Sequence, residues 1–366
     1  MAASGGLFDL GLVRPPGYPL FVRAVFEVFG THYVAVVAVQ VVLSAATVAL
    51  TFWLASLFVS RRFALAAATA VAIDPASIVF ANLMLTEAVF ALLLTAAIGL
   101  VLIARRGDNA WLALAAGVLL GVAVLVRPVG EYLPIVLLPA LVLAWPGRRA
   151  RSALLAAVVL AGFAMPVGAW VARNVVKTGV PTVSTIDGHN MLHFRAVGAL
   201  VEDGMQRQAA QHYVLVRLGP HVRPGDNQAE ISRAELGVGL AILSEHLAGA
   251  VKSWARGEAK LLLGPGKAET ATLLTGDVSV HATWLRVLIL VDYVITIAIV
   301  AAGLIGIVLL MFGRLARALW LPAAAVLYLV VVSGGPEAYS RFRVPITPLL
   351  AVLGAAAFAR WRRPLT

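Results

Sequence analysis

The sequence predicts an all-α, polytopic transmembrane helical bundle with an external helical cap region, and three observations point there. Hydrophobic residues make up 61% of the 366 residues and charged residues only 13%, well below the roughly 25% of a soluble domain. Apolar stretches close to the ~20 residues that cross a hydrocarbon core recur between short charged breaks. The arginines gather in small clusters at the ends of those stretches. The apolar runs do not alternate, which excludes a closed barrel. With no water in a bilayer to satisfy backbone groups, helices remain.

In chain order, the first element is residues 18–29. Leu20, Phe21, Val25 and Phe29 share one helical stripe there, with Arg23 and Glu27 paired four apart on another. This pattern predicts a helix lying in the membrane surface. Spans follow near 33–59, 63–83, 86–104, 110–126, 129–145, 152–173, 284–312, 318–333 and 345–359, about nine crossings. Threaded this way, Arg61-Arg62, Arg105-Arg106, Arg148-Arg149-Arg151, Arg314-Arg317 and Arg360-Arg362-Arg363 all fall on one side. By the positive-inside rule that side is the cytoplasm, which puts a multi-pass protein in the plasma (inner) membrane with its C-terminus inside. The chain then divides into a transmembrane core with its interfacial helix (1–173), an extracytoplasmic, mostly helical loop (174–282) and C-terminal transmembrane helices (283–366). Within the loop, 228–243 and 245–263 read as amphipathic helices. The threading also leaves the N-terminus outside. Nothing ahead of Tyr33 could carry it across, and Met1 to Gly30 lacks the basic start and apolar core of a signal peptide.

Charges at external span ends are the candidates for chemistry. Glu87 follows Thr86 in the first turn of a span, where Thr86 can cap the helix and the carboxylate meets the positive end of the dipole. Capping alone would also explain it. Arg127 ends a span at the outer surface, against the positive-inside trend, with snorkelling as the alternative. Arg341 and Arg343, before Pro345, put two guanidiniums at the outer mouth of the last span. Bidentate binding of an anionic headgroup is favoured there over interface anchoring. Asp74, before Pro75, reads as a helix cap, and Asp292, inside a span, as a buried polar contact.

The net charge of +11 is a topology signal rather than a nucleic-acid footprint, because the arginines sit at span ends. With no cysteine, disulfides and thiolate metal sites are excluded. His189, His212, His221, His246 and His281 show no metal-ligand spacing, so no metal is expected. No internal repeat is visible, which weighs against repeat-built transporters.

Several blocks run in order along nearly the whole chain. They are Arg14-Pro15-Pro16-Gly17-Tyr18-Pro19-Leu20-Phe21, Asp74-Pro75 through Leu85-Thr86-Glu87, Gly121 through Arg127-Pro128, Trp170 through Arg173-Asn174, Thr178-Gly179, Gly188-His189-Asn190 and Arg341-Phe342-Arg343-Val344-Pro345-Ile346-Thr347-Pro348. As a set they resemble the GT-C superfamily of membrane glycosyltransferases, in the branch of the protein O-mannosyltransferases and the aminoarabinose transferases of lipid A. The resemblance implies transfer of a sugar from a polyprenyl-phosphate donor to an extracytoplasmic glycan, lipid or protein. An external carboxylate would act as base, and the anomeric centre would invert as lipid phosphate leaves. It implies Arg341 and Arg343 as donor-phosphate ligands with Arg127 and Arg173 as helpers. Glu87 is the catalytic candidate, and Tyr18, His189 and Asn190 are candidates for the acceptor side. Membrane lipids are the remaining partners, with no cofactor, no metal and no nucleic acid. The resemblance also implies a first spanning helix and an acidic loop, often Asp-Glu, ahead of the Pro-Pro-Gly-Tyr-Pro block. Only Asp9 lies upstream, so the expectation is a late start, or a degenerate or partner-dependent member. Two rivals remain: a transporter or flippase for a lipid or amphiphile, which predicts charges deep within several spans, and a non-catalytic pseudoenzyme.

Overall fold

The computed structural model describes residues 11–275 and 283–361, the side chain of Trp361 excepted; Asp9, His281, Arg362 and Arg363 lie outside the described residues. The described residues form α-helices with short 3-10 and π segments and no strand. The helices are α1 (Gly17–Phe29), α2 (Tyr33–Ser56), α3 (Arg61–Ala72), α4 (Pro75–Ala81), α5 (Glu87–Gly107), α6 (Ala110–Val126), α7 (Leu133–Leu143) and α8 (Arg149–Thr178). The cap contains α9 (Ile186–His189), α10 (Val197–Glu202), α11 (Arg207–Leu218), α12 (Gln228–Glu245), α13 (Leu247–Leu263) and α14 (Lys267–Thr275). The chain then runs through α15 (Thr283–Met311), α16 (Trp320–Ser333) and α17 (Thr347–Trp361).

Each of the nine expected spans contains helix, and the number that qualifies as a crossing on length and composition is smaller. Four helical segments are long and apolar enough to cross a membrane: Tyr33–Ser56, Glu87–Gly107, Pro146–Thr178 and Thr283–Met311. The number rises to six if each of two bent pairs counts as one span. One of these pairs is α3 with α4, bent by 53° where Asp74 and Pro75 intervene. The other is α12 with α13, bent by 104°, which the sequence assigns to the cap. The shorter apolar helices, such as Ala110–Val126 with its 17 residues, extend roughly 25 Å at 1.5 Å per residue. That places them at the lower end of the length that spans a ~30 Å hydrocarbon core. The molecule is an integral membrane protein with several crossings.

Small residues bring the helices together. A Cβ on Gly117 or Gly162 would collide with the backbone of the facing helix in the α6–α8 pair; between α15 and α17, one on Gly303 would collide with the Leu350 side chain and one on Gly306 with the backbone of Leu353. Most of α5 is buried, with Leu94, Ile98 and Leu102 among the most enclosed side chains. The central helix thus fixes its first residue, Glu87, rigidly. Asp74 caps α4 as expected, accepting from Ser77 N at 2.9 Å and Ser77 Oγ at 2.6 Å. At the opposite end of α5, Asp108 gathers Arg105, Arg148 and Arg151, so two of the basic clusters do share one end of the bundle.

The helix expected over 18–29 forms as α1. Val22 and Val25 are the buried positions, packed on Val36, whereas Leu20 and Phe29 are exposed. Arg23 and Glu27 pair at 2.7 Å. The cap has its own core, in which Leu192, Val197 and Leu200 meet Val214 of α11 and Val238 and Ile242 of α12. A capping box between Asn227 and Glu230 starts α12.

Candidate functional site

The Pro-Pro-Gly-Tyr-Pro block explains how the site is assembled. A Cβ on Gly17 would meet the backbone of Leu125 and Val126 at about 2.6–2.7 Å, so only glycine lets the start of α1 lie against the end of α6. Tyr18 then gives its hydroxyl hydrogen to Gln40 Oε1 at 2.7 Å, and Gln40 Nε2 donates to the carbonyl of Leu83 at 2.6 Å. The turn between α4 and α5 is thereby tied to α1. A second set of ties fixes the chain as it leaves α8. Trp170 donates its indole hydrogen to Val183 O at 2.9 Å, and Asn174 donates to Thr182 O at 2.7 Å. Ser184 Oγ donates to Val13 O at 2.7 Å, which draws the loop before α9 alongside Arg14.

These ties surround a cavity of about 330 Å³ whose lining includes Arg14, Tyr18, Thr86, Arg127, Asp187, Asn190, Arg195, Glu337 and Arg341. Behind its wall, the fully buried Glu87 accepts from both Arg127 and Arg341 through Oε1. Arg127 also donates to Thr86 Oγ1 at 3.2 Å and stacks 4.8 Å from the centre of the Phe342 ring. On the other side, Arg195 of the π-helix Asn190–Ala196 donates to Glu337 at 3.1 Å and to Val332 O at 2.6 Å. Asp187 opens onto the cavity. Loss of surrounding water raises the pKa of its carboxyl above the ordinary value, against the pull of Arg195. A larger cleft of about 670 Å³ between α3, α15 and α17 has no ionisable group in its lining and offers no chemistry.

The geometry sorts the expected site residues. Arg127, Arg341, Tyr18 and Asn190 meet at this cavity. Glu87 touches two of those arginines without lining the cavity. Thr86 does not cap α5: its own backbone is helical (φ −77, ψ −14), and its hydroxyl is engaged by Arg127. Arg173 lies elsewhere, over the ring of Trp170 and bonded to Asn174, where it fastens the exit of α8. His189 faces a neighbouring cavity beside Glu235. Arg343 is buried in the bundle, donating to the carbonyls of Leu261 and Gly264 and to Thr296 Oγ1. Thr296 in turn donates to Asp292, the buried polar contact anticipated for that residue. Arg195 has no signal in the sequence, because nothing in the cap indicates which of its arginines turns inward.

Residues 13–170 match the sequence profile of the family described as dolichyl-phosphate-mannose-protein mannosyltransferase. The archaeal oligosaccharyltransferase AglB from Archaeoglobus fulgidus, in complex with an inhibitory peptide and a dolichol-phosphate, superposes with a TM-score of 0.54 at 15% identity, over 94% of this chain and 42% of that one. The chain has the GT-C glycosyltransferase fold. A second structure of the A. fulgidus enzyme, tethered with an acceptor peptide containing the NVT sequon, gives the same TM-score and identity over 94% of this chain and 41% of that one. ArnT from Cupriavidus metallidurans bound to undecaprenyl phosphate shares 15% identity over 95% of this chain and 68% of that one, at a TM-score of 0.41. This chain thus spans about two fifths of the length of the oligosaccharyltransferases it matches. No curated protein sequence matches it.

Proposed function

We propose that this chain transfers a sugar from a polyprenyl-phosphate carrier to an acceptor hydroxyl on the outer side of the membrane. The observation that carries the reading is one cavity holding two guanidiniums, Arg127 and Arg341, both anchored by the buried Glu87, together with the open carboxylate of Asp187. In this reading Arg127 and Arg341 bind the carrier phosphate and neutralise the charge that grows on it as the sugar departs. Glu87 is a positioning residue, since its carboxylate is spent on the two arginines. Asp187 takes the acceptor proton, the acceptor oxygen attacks the anomeric carbon, and the bond from that carbon to the phosphate oxygen breaks with inversion. A raised pKa suits this role, because a stronger base gains more from the transfer. The outward orientation of the cavity, with the C-terminus in the cytoplasm, rests on the distribution of the basic clusters.

The test uses protein in nanodiscs and a polyprenyl phosphate as ligand. The parent is expected to bind it, and Arg127→Ala to bind it at least about 10-fold more weakly, in line with a lost charge-assisted hydrogen bond. Equal binding would remove the arginines from the donor site. Where turnover is measurable, activity should rise with pH through the pKa of Asp187, because below it the carboxyl is protonated and cannot accept a proton. That limb should lie above the ~3.9 of an ordinary aspartate. Asp187→Asn should abolish the limb and cost on the order of 10²- to 10⁴-fold in rate.

A further inference from the structure

His189 ends α9, and His193 follows four residues later inside the π-helix. The spacing stacks the two rings with centroids 4.5 Å apart. Glu235 comes from α12, largely buried, with its Oε1 3.1 Å from His193 Nε2. One donor atom from each of the three lies within 4.8 Å of the others. Close packing accounts for the approach: a Cβ on Gly188 would collide with Ser232, and one on Gly239 with Met191, so the His-bearing segment is pressed onto α12. Around a tetrahedral ion with bonds of about 2.0–2.1 Å, ligand atoms stand about 3.3 Å apart. The closure needed here is therefore at most about 1.5 Å, within reach of a χ adjustment.

We propose that His189, His193 and Glu235 form a zinc site that clamps the segment from Asp187 to Arg195 against the cap. Two imidazoles and one carboxylate make a three-ligand zinc set that leaves a fourth position for water. Imidazole favours zinc and its neighbours over magnesium or calcium. The open side faces a cavity of about 390 Å³ whose lining includes Thr185, Gln228 and Ser232, polar partners for that water. The π-helical turn itself is a departure from the regular ladder of a kind that clusters at functional sites. Asp187 and Asn190 flank the first ligand and Arg195 follows the second by two residues, and all three line the main cavity. A bound ion therefore fixes three cavity residues at once. The site does not depend on the proposed reaction.

The experiment uses the full chain in detergent, with any purification tag removed and metal stripped by a chelator. Zinc and cobalt(II) are the probes. One zinc per chain is expected, with a cobalt form that shows the strong visible absorption of tetrahedral coordination and loses it on zinc addition. His193→Ala and Glu235→Gln should each weaken zinc binding by at least about 100-fold, the upper range for a mere supporting residue. His212→Ala, at a histidine outside the cluster, should leave it unchanged. Zinc should raise the Tm of the parent and not that of His193→Ala. Affinity equal in His193→Ala and the parent would assign the binding to histidines elsewhere and overturn the site. If the variants do not insert, the parent decides alone: a weak octahedral cobalt spectrum, or no stoichiometric zinc, rejects the proposal.

Discussion

On the 3-10 turn Ser340–Arg343, Arg341 reaches Glu87 at the cavity while Arg343, two residues later, turns into the bundle. With three residues per turn, positions two apart diverge by about 120° around the axis, and the two guanidiniums meet different surroundings. Arg341 shares a carboxylate with Arg127 and keeps one face on the cavity. Arg343 donates at 3.0 Å to Leu261 O and to Gly264 O, carbonyls at the end of α13, and at 2.9 Å to Thr296 Oγ1 of α15. A cation at a helix C-terminus is favourable, and this one joins the cap to the last spans. One arginine is therefore available to a ligand and the other holds the helices that frame it.

The largest effect should come from Arg343. Replacing it with alanine leaves the α13 carbonyls and the Asp292 carboxylate without their cation, and breaking such a buried network costs about 3–5 kcal/mol. Arg343→Ala should melt well below the parent in detergent and expose the α13–α14 region to protease. Arg341→Ala should melt closer to the parent, since Glu87 retains Arg127. An Arg343→Ala protein with parental Tm would erase the distinction between the two arginines.

Glu87 tests the cavity side of the same comparison. Glu87→Gln removes the charge that aims both Arg127 and Arg341. The lost charge-assisted hydrogen bonds, worth about 1.5–3 kcal/mol each, should weaken polyprenyl-phosphate binding by about 10- to 100-fold in a titration. Unaltered binding would mean that the two arginines hold their positions without the carboxylate, and Glu87 would lose its positioning role.

The contrast between the two arginines also marks what the sequence could reveal. Hydropathy and breaks locate every apolar helix, because backbone burial in lipid admits few alternatives. The α3–α4 break is legible from Asp74-Pro75, and the approach of Arg14, Tyr18, Arg127 and Arg341 follows from blocks at the ends of expected spans. The facing of individual side chains is not legible there. A helical turn in place of a strand, where positions two apart would share one face, decides that Arg343 turns away. Arg173 is diverted by the ring of Trp170, three residues earlier, a contact within its own helix. Arg195 and Glu235 belong to the cap, where long-range packing alone determines which residues face inward. The meeting of His189 and His193 with a carboxylate 42 residues on depends on the same packing.

Thr86 gives the smallest and most discriminating measurement. As a helix cap its hydroxyl would accept from a backbone N–H of α5, and its loss would cost helix stability of about 1 kcal/mol. In the structure the hydroxyl instead accepts from Arg127 at 3.2 Å, a contact near the long end of hydrogen-bond range and worth about 0.5–1.5 kcal/mol. Thr86→Val keeps the shape and removes the acceptor. It should leave the Tm of the protein unchanged and weaken polyprenyl-phosphate binding by about 2- to 10-fold, because Arg127 keeps Glu87 and the Phe342 ring as its other supports. A fall in Tm without a change in binding would return Thr86 to the capping role and detach it from the arginine cluster.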